Sequence, residues 1–485
     1  MYNLEMKLFW RHVCFACCCV FTLLFYVVLS PIGMRNPVEI YSLEAGFPIT
    51  KRMPDKLIAL YGDAESSRNI FQTLVPGRPW LDAVRWMWNG TLAASAWPQR
   101  KMTMPQCSKL VNGDPEEQKY SKEFMKEFSP VALTARDYIA HTTDCSHYLE
   151  ERAFFLSALP EEESFPLAYS MVLYKDIELV ERILRAIYRP HNFYCLHVDQ
   201  KADPSLLEAV RSIASCLENV FVASESVDVI WGEFSVLEPE LVCMRDLWRY
   251  KKWRYFINLT GQEFPLKTNL QLVRILTALN GSNLVDCTTN GRDNDRWYNN
   301  FLPPHGIKPY KGNVHVVVNR GFVDYILHNP VAHDYLSWLR RTDVPDESFF
   351  STLNYNPHLR VPGAYLGPPD TDAHLKPYLA RFKNWGHNWR DGLDRMNFNW
   401  PCYGKRVRTI CVFGVGDLPM LTSRKELFAN KFYINFEPLT LQCLEDWLYN
   451  MTVDEYAGRV SMDVSFYKNL DIVKNKVDGS RSLTG

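Results

Sequence analysis

The sequence predicts an α/β fold with a mostly parallel central sheet. From Phe165 onward strand-like and helix-like segments alternate, with no internal repeat or low-complexity tract. The helical segments carry their apolar residues on one face, which is what a helix covering a sheet requires.

The elements follow in order. "LAYSMVLY" reads as a strand. "DIELVERILRAIYRP" is a helix with Ile177, Val180, Ile183, Leu184 and Ile187 on one face, Asp176 as its expected cap and a stop near Pro190. "FYCLHVD" is a strand, and "DPSLLEAVRSIASCL" a helix capped by Asp203 with Pro204 at its first position. "NVFVAS", "SVLEPELVCMRDLWRY", "YFINLT" and "NLQLVRILTAL" continue as strand, helix, strand and helix.

Ahead of this region, Val13 to Leu29 is a run of 17 residues without a charge, preceded by Lys7, Arg11 and His12. It is just long enough to span a bilayer, and the basic flank assigns the N-terminus to the cytoplasm. A cleaved signal peptide is the alternative, although the residues after Leu29 offer a poor cleavage site. The expected order is a tail (1–12), a membrane anchor (13–30), a stem and lead-in (31–105) and a luminal domain (106–485). Nine cysteines follow the anchor without zinc-type spacing, so disulfides in an oxidising compartment are expected, with one thiol left over. Glycosylation sequons stand at Asn89, Asn258, Asn280 and Asn450, of which Asn258 falls in a strand expected to be buried. The formal net charge of −1 leaves no basic excess for nucleic acid.

In parallel sheets ligands sit beyond the carboxyl ends of the strands, where His197 and Asp199 of "LHVDQK" are expected. No dinucleotide or P-loop glycine pattern follows a strand; "FGVGDL" is a lone G-x-G. A luminal enzyme with such a sheet suggests a sugar-nucleotide transferase, whose leaving diphosphate needs a metal or fixed cations. The triplets Asp293-Asn-Asp295 and Asp370-Thr-Asp372 lie in polar loops and are weak metal candidates. Arg406, Arg408 and Lys431 offer cations instead. In "VPDESFFSTL", Asp346 and Glu347 open a short helix, where a carboxylate is either a helix-end stabiliser or a catalytic group.

The segments "FPLAYSMVLYKDIELVERILRAIYRPHNFYCLHVDQK", "ASCLENVFVAS", "INLTGQEFPLKTN", "VPDESFFSTL" and "VRTICVFGVGDL…LFANKF" resemble the core 2 and I-branching β-1,6-N-acetylglucosaminyltransferases of glycosyltransferase family 14, relatives of the peptide O-xylosyltransferases. The resemblance runs from about Cys107 to Cys443. It implies a single-pass type II Golgi membrane protein with a GT-A-like luminal domain, which inverts configuration and needs no cofactor or divalent metal. Carried over by position, Glu347 is the catalytic base, and Arg408 and Lys431 hold the UDP diphosphate. Val172 and Asp199 lie at the uridine, and Arg296 and Trp385 on the acceptor side. The family pattern also implies the disulfides Cys107–Cys443, Cys145–Cys216, Cys195–Cys243 and Cys402–Cys411. The implied partners are a UDP-sugar donor, an O-glycan on a glycoprotein and the Golgi membrane, with a homodimer left open.

Three departures bear on specificity. The family's unpaired cysteine is Thr260 here, leaving Cys287 as the odd thiol. A glutamate and a lysine that contact acceptor sugars in the family align with Val285 and Asp293. The expected reaction is transfer of N-acetylglucosamine from UDP-GlcNAc, in β linkage, to a mucin-type core such as Galβ1-3GalNAc. UDP-glucose or UDP-xylose is the alternative donor, and a silent membrane-anchored glycan binder the alternative of another class.

Overall fold

In a computed structural model the described residues are 103–128, 130–289, 296–297, 301–371, 373–386 and 400–478, all within one compact unit. The expected anchor, the stem up to residue 102 and Asn89 lie outside them. Among the described residues no helix is long and apolar enough to cross a membrane.

The central sheet has five strands in the order β3-β2-β1-β4-β6. They are β1 (Leu167–Leu173), β2 (Phe193–Val198), β3 (Val220–Val222), β4 (Tyr255–Thr260) and β6 (Val317–Asn319). The pairs among β1 to β4 are parallel, and β6 runs antiparallel at the edge. Both faces of β1 are buried, as expected of a strand covered by helices on each side. Val172 is its one partly exposed residue.

Helices of eight or more residues are labelled α1 (Pro115–Glu127), α2 (Ile177–Ile187), α3 (Pro204–Ser215), α4 (Glu238–Trp248), α5 (Asn269–Leu279), α6 (Arg320–His328), α7 (Pro330–Leu339), α8 (Asp346–Asn354) and α9 (Leu439–Tyr456). Asp203 caps α3 through the N–H of Ser205, behind Pro204 at the first position. Asp176 does not cap α2. Its backbone is left-handed (φ 60°, ψ 60°), which turns the carboxylate away from the helix end and towards Lys175 Nζ at 3.6 Å.

Two small sheets complete the frame. The first orders β5 (Glu263–Pro265), β10 (Phe428–Asn430) and β7 (Phe382–Lys383), and the second is the hairpin of β8 (Lys405–Val407) and β9 (Ile410–Val412). Disulfides join Cys107 to Cys443, Cys145 to Cys216, Cys195 to Cys243 and Cys402 to Cys411. Cys287 is unpaired and buried, so it offers no surface link to a second chain.

Candidate active site

The parallel register aligns the carboxyl ends of three strands. Val172 stands between His197 on β2 and Thr260 on β4, and the Asp199 N–H donates to the Leu173 carbonyl at 2.8 Å. Asp199 is buried and accepts from the Lys201 N–H at 2.9 Å. His197 plays a different part: its Nε2 accepts from the Val227 N–H at 3.0 Å, and burial lowers its pKa, so it is a neutral support for the loop after β3. That loop is tied to the same edge by Lys201 Nζ to Asp228 (2.6 Å) and Ser226 Oγ to the Val198 carbonyl (2.7 Å). It leaves the Trp231 ring 85% exposed and turns at Gly232, whose φ of 87° suits glycine.

The Gly232 carbonyl accepts from the Val344 N–H at 2.8 Å, so the loop reaches from Asp199 to the start of α8. Val344 is left-handed (φ 48°), a strained conformation for a β-branched residue. Pro345 follows, then Asp346 and Glu347 in the first turn of α8. Arg296 Nη1 donates to Glu347 Oε2 at 2.7 Å, while Oε1 has no partner among the described residues. The Glu347 side chain is 33% exposed and thus within reach of a solute. Trp297 Nε1 donates to Ser348 Oγ at 3.2 Å, which pins the Arg296 segment along the same turn. Asp346 is buried, and burial together with the Glu347 charge raises its carboxyl to about 6.

A second path leads to Glu347 from the small sheets. The Gly312 N–H donates to the Glu347 carbonyl at 2.7 Å, and Lys383 Nζ donates to the neighbouring Asn313 Oδ1 at 2.7 Å. No room for a side chain exists at Gly312, where a Cβ would lie 2.2 Å from the Asp286 carbonyl. Lys383 pairs with Asn430 across β7 and β10, and Lys431 is the next residue. Trp385, 48% exposed, bridges to Ile410, and the Gly386 N–H donates to the Thr409 carbonyl at 2.7 Å. Glu347, Trp385, Lys431 and the β8–β9 turn are therefore joined through one short strand. Arg408 and Thr409 form that turn with φ of 49° and 72°, the left-handed pair of a two-residue hairpin loop. Arg406 is not available to an anion in the way expected: it donates to the Asn384 carbonyl (3.1 Å), Asn384 Oδ1 (3.2 Å) and the Thr409 carbonyl (3.0 Å).

Beneath these groups lies a buried ionic network that sequence reasoning missed. Arg381 Nε donates to Glu263 Oε2 at 2.7 Å, His315 Nε2 lies 2.5 Å from Oε1, and Thr260 Oγ1 and Asn430 Nδ2 reach the same oxygen at 3.3 Å. Burial alone would raise the Glu263 carboxyl, but Arg381 and His315 outweigh it and hold it at about 2. Lys383 feels burial first, then the opposing charges of Glu263 and Glu347, and its ammonium falls to about 8. The signal in "TGQEFP" and "ARFKNW" was a charge inside an apolar context, legible only once both were known to pack together.

Other candidates separate from this centre. Asp370 accepts from the Thr289 N–H at 3.2 Å; Asp293, Asp295 and Asp372 lie outside the described residues. The one cluster of metal-type donors among the described residues, Cys402, Cys411 and Asp417, is spent on a disulfide and on the N–H groups of Tyr403, Gly404 and Gly414. Asn258 is buried, donating to the Val314 carbonyl (2.8 Å) and accepting from the Val316 N–H (2.7 Å), while Asn280 and Asn450 are exposed.

Comparison with known proteins gives the site a context. Residues 167–393 match the family model described as Core-2/I-Branching enzyme. A human beta-1,3-galactosyl-O-glycosyl-glycoprotein beta-1,6-N-acetylglucosaminyltransferase is 36% identical over 369 residues, 72% of this chain and 86% of the relative. A second human enzyme of that name, numbered 3, is 36% identical over 365 residues, 70% of this chain and 82% of the relative. A homologue from Bovine herpesvirus 4 is 34% identical over 369 residues, 72% of this chain and 82% of its own length.

Proposed function

The chain belongs to the Core-2/I-Branching enzyme family and is a glycosyltransferase, and from this premise we propose that it transfers N-acetylglucosamine from UDP-GlcNAc to a mucin-type O-glycan by direct displacement. The observation that carries the reading is the Glu347 carboxylate, with Oε2 fixed by Arg296 and Oε1 unengaged among the described residues. An acceptor hydroxyl is a poor nucleophile, so Glu347 takes its proton as the oxygen bonds to the anomeric carbon. The bond from that carbon to the diphosphate oxygen breaks on the opposite face, and its electron pair leaves with UDP. An α-linked donor thus becomes a β-linked product.

Arg408 and Lys431 neutralise the leaving diphosphate, a task that fixed cations perform without a divalent ion. Val172 and Asp199, at the carboxyl edge of the sheet, hold the uridine. Arg296 and the exposed ring of Trp385 face the acceptor, Trp385 as a stacking surface. Val285 is buried and apolar, so the acceptor pocket lacks the charge that the family pattern has at that position. The reaction takes place in the Golgi lumen, behind the membrane anchor at 13–30.

The test offers UDP-GlcNAc, UDP-glucose, UDP-xylose and UDP-galactose with Galβ1-3GalNAc to the purified protein in EDTA. Transfer of GlcNAc alone, lost in Glu347→Gln, is the expected result. Transfer of another sugar, or activity restored only by a divalent ion, overturns the donor or the metal-free assignment respectively.

A further inference from the structure

Three lysine ammonium groups gather about one aromatic ring. Nζ of Lys175, Lys431 and Lys405 lie 5.6, 5.7 and 5.8 Å from the centroid of Tyr433, and Lys405 Nζ is also 4.3 Å from the centroid of Phe436. They come from three separate places: Lys175 lies two residues beyond β1 on the carboxyl edge, Lys405 opens β8, and Lys431 follows β10. Charges at these radii from a common centre stand within roughly a Debye length of one another, about 10 Å, so they repel measurably.

Among the described residues little nearby offsets that repulsion. Asp176 approaches Lys175 at 3.6 Å. Glu437, next to Phe436, accepts from the Val415 N–H at 2.8 Å, and Asp417 is committed to three backbone N–H groups. The ring faces return only a small stabilisation per contact at exposed positions. The Lys175 side chain is 56% exposed, Lys405 is exposed, and Lys431 and Tyr433 are partly so; a solute can reach all of them. A net positive cluster of this kind, open at the ligand-binding edge of a parallel sheet, is a local conflict that an anionic ligand resolves.

We infer that Tyr433 is the platform of an anion site in which Lys175 and Lys405 extend Lys431 and Arg408 into a cradle for the diphosphate of a nucleoside diphosphate. The inference rests on the assignment of Arg408 and Lys431 to the diphosphate. A cradle with two added ammonium groups contacts more phosphate oxygens than the family pair alone. It holds the donor and the released nucleoside diphosphate more tightly, with a steeper dependence on salt.

The experiment titrates the full-length protein with UDP, UMP and uridine by calorimetry at low and high salt. The variants are Lys175→Ala/Lys405→Ala, Tyr433→Leu and, for reference, Lys431→Ala. The double variant is expected to weaken UDP about tenfold or more, to leave uridine unchanged and to flatten the salt dependence; Tyr433→Leu weakens UDP in the same sense. Unchanged UDP affinity in the double variant, with Lys431→Ala still weakening it, overturns the extended cradle and leaves the two-cation assignment standing. Unchanged affinity in Lys431→Ala as well overturns both.

Discussion

Arg296 and Glu347 form a one-sided ion pair, in which the guanidinium takes Oε2 at 2.7 Å and Oε1 is left unengaged among the described residues. Such a pair fixes the direction of the carboxylate without consuming the oxygen that would accept a proton. Glu347→Gln is expected to lower kcat by about 10²- to 10⁴-fold while UDP binding is retained. Arg296→Ala should lower kcat and raise the acceptor KM together. Initial-rate kinetics check both; a kcat unchanged in Glu347→Gln removes Glu347 as the base.

Lys383 donates to Asn313, beside the Gly312 N–H that holds the Glu347 carbonyl, and its charge opposes those of Glu263, Asp286 and Glu347, with Arg381 and His315 alongside. Replacing Lys383 with Met removes the donor to Asn313 and so one tie on the segment whose Gly312 N–H holds the Glu347 carbonyl. The variant should lower kcat roughly three- to tenfold, and Arg should restore it in part. An unchanged kcat in Lys383→Met would assign the residue to packing alone.

Glu240 is buried with Asn258 Nδ2 at 3.3 Å and the Ser170 hydroxyl also in contact, and burial raises its carboxyl from 4.5 to about 7. The folded chain therefore keeps a proton that the unfolded chain releases near pH 4.5. Stability falls as pH rises between those values, and the loss is complete above about 7. Glu240→Gln should stabilise by on the order of 1–3 kcal/mol at pH 8 and by much less at pH 5. Urea unfolding at the two pH values measures this, and equal effects at both would refute a buried titrating carboxyl.

Thr409 holds φ 72° in the β8–β9 turn, a conformation that glycine adopts without strain. Thr409→Gly should raise stability by about 0.5–1 kcal/mol, read as an upward shift of thermal unfolding. A downward shift would mean that the threonine side chain contributes more than its strain costs.

The long alternation from β1 to α5 was legible because β1, β2, β4 and the helices among them have enough residues to show their period. The strands at or next to Lys383, Lys405, Glu263 and Lys431 have two or three residues each, too few to show a period. Their pairing brings together positions more than a hundred residues apart, as with Glu263 and Arg381. Arg406 and Arg408 looked alike in sequence; the hairpin separates them, spending the first on Asn384 and Thr409 and placing the second at the turn. Asp176 had the residue type of a cap but not the backbone. Cysteine pairing could not be chosen from spacing and entered only with the family pattern.

The Cys107–Cys443 bond, spanning 336 positions, closes most of the described fold into a covalent loop. Tension applied to the segment before Cys107 therefore passes across the sulfurs into α9 rather than along the backbone. A pull that would otherwise peel off the N-terminal helices and then β1 instead loads the Cys443 end of α9. Mechanical stretching of the tethered protein should show a short extension before the main rupture under oxidising conditions, and a longer one after reduction.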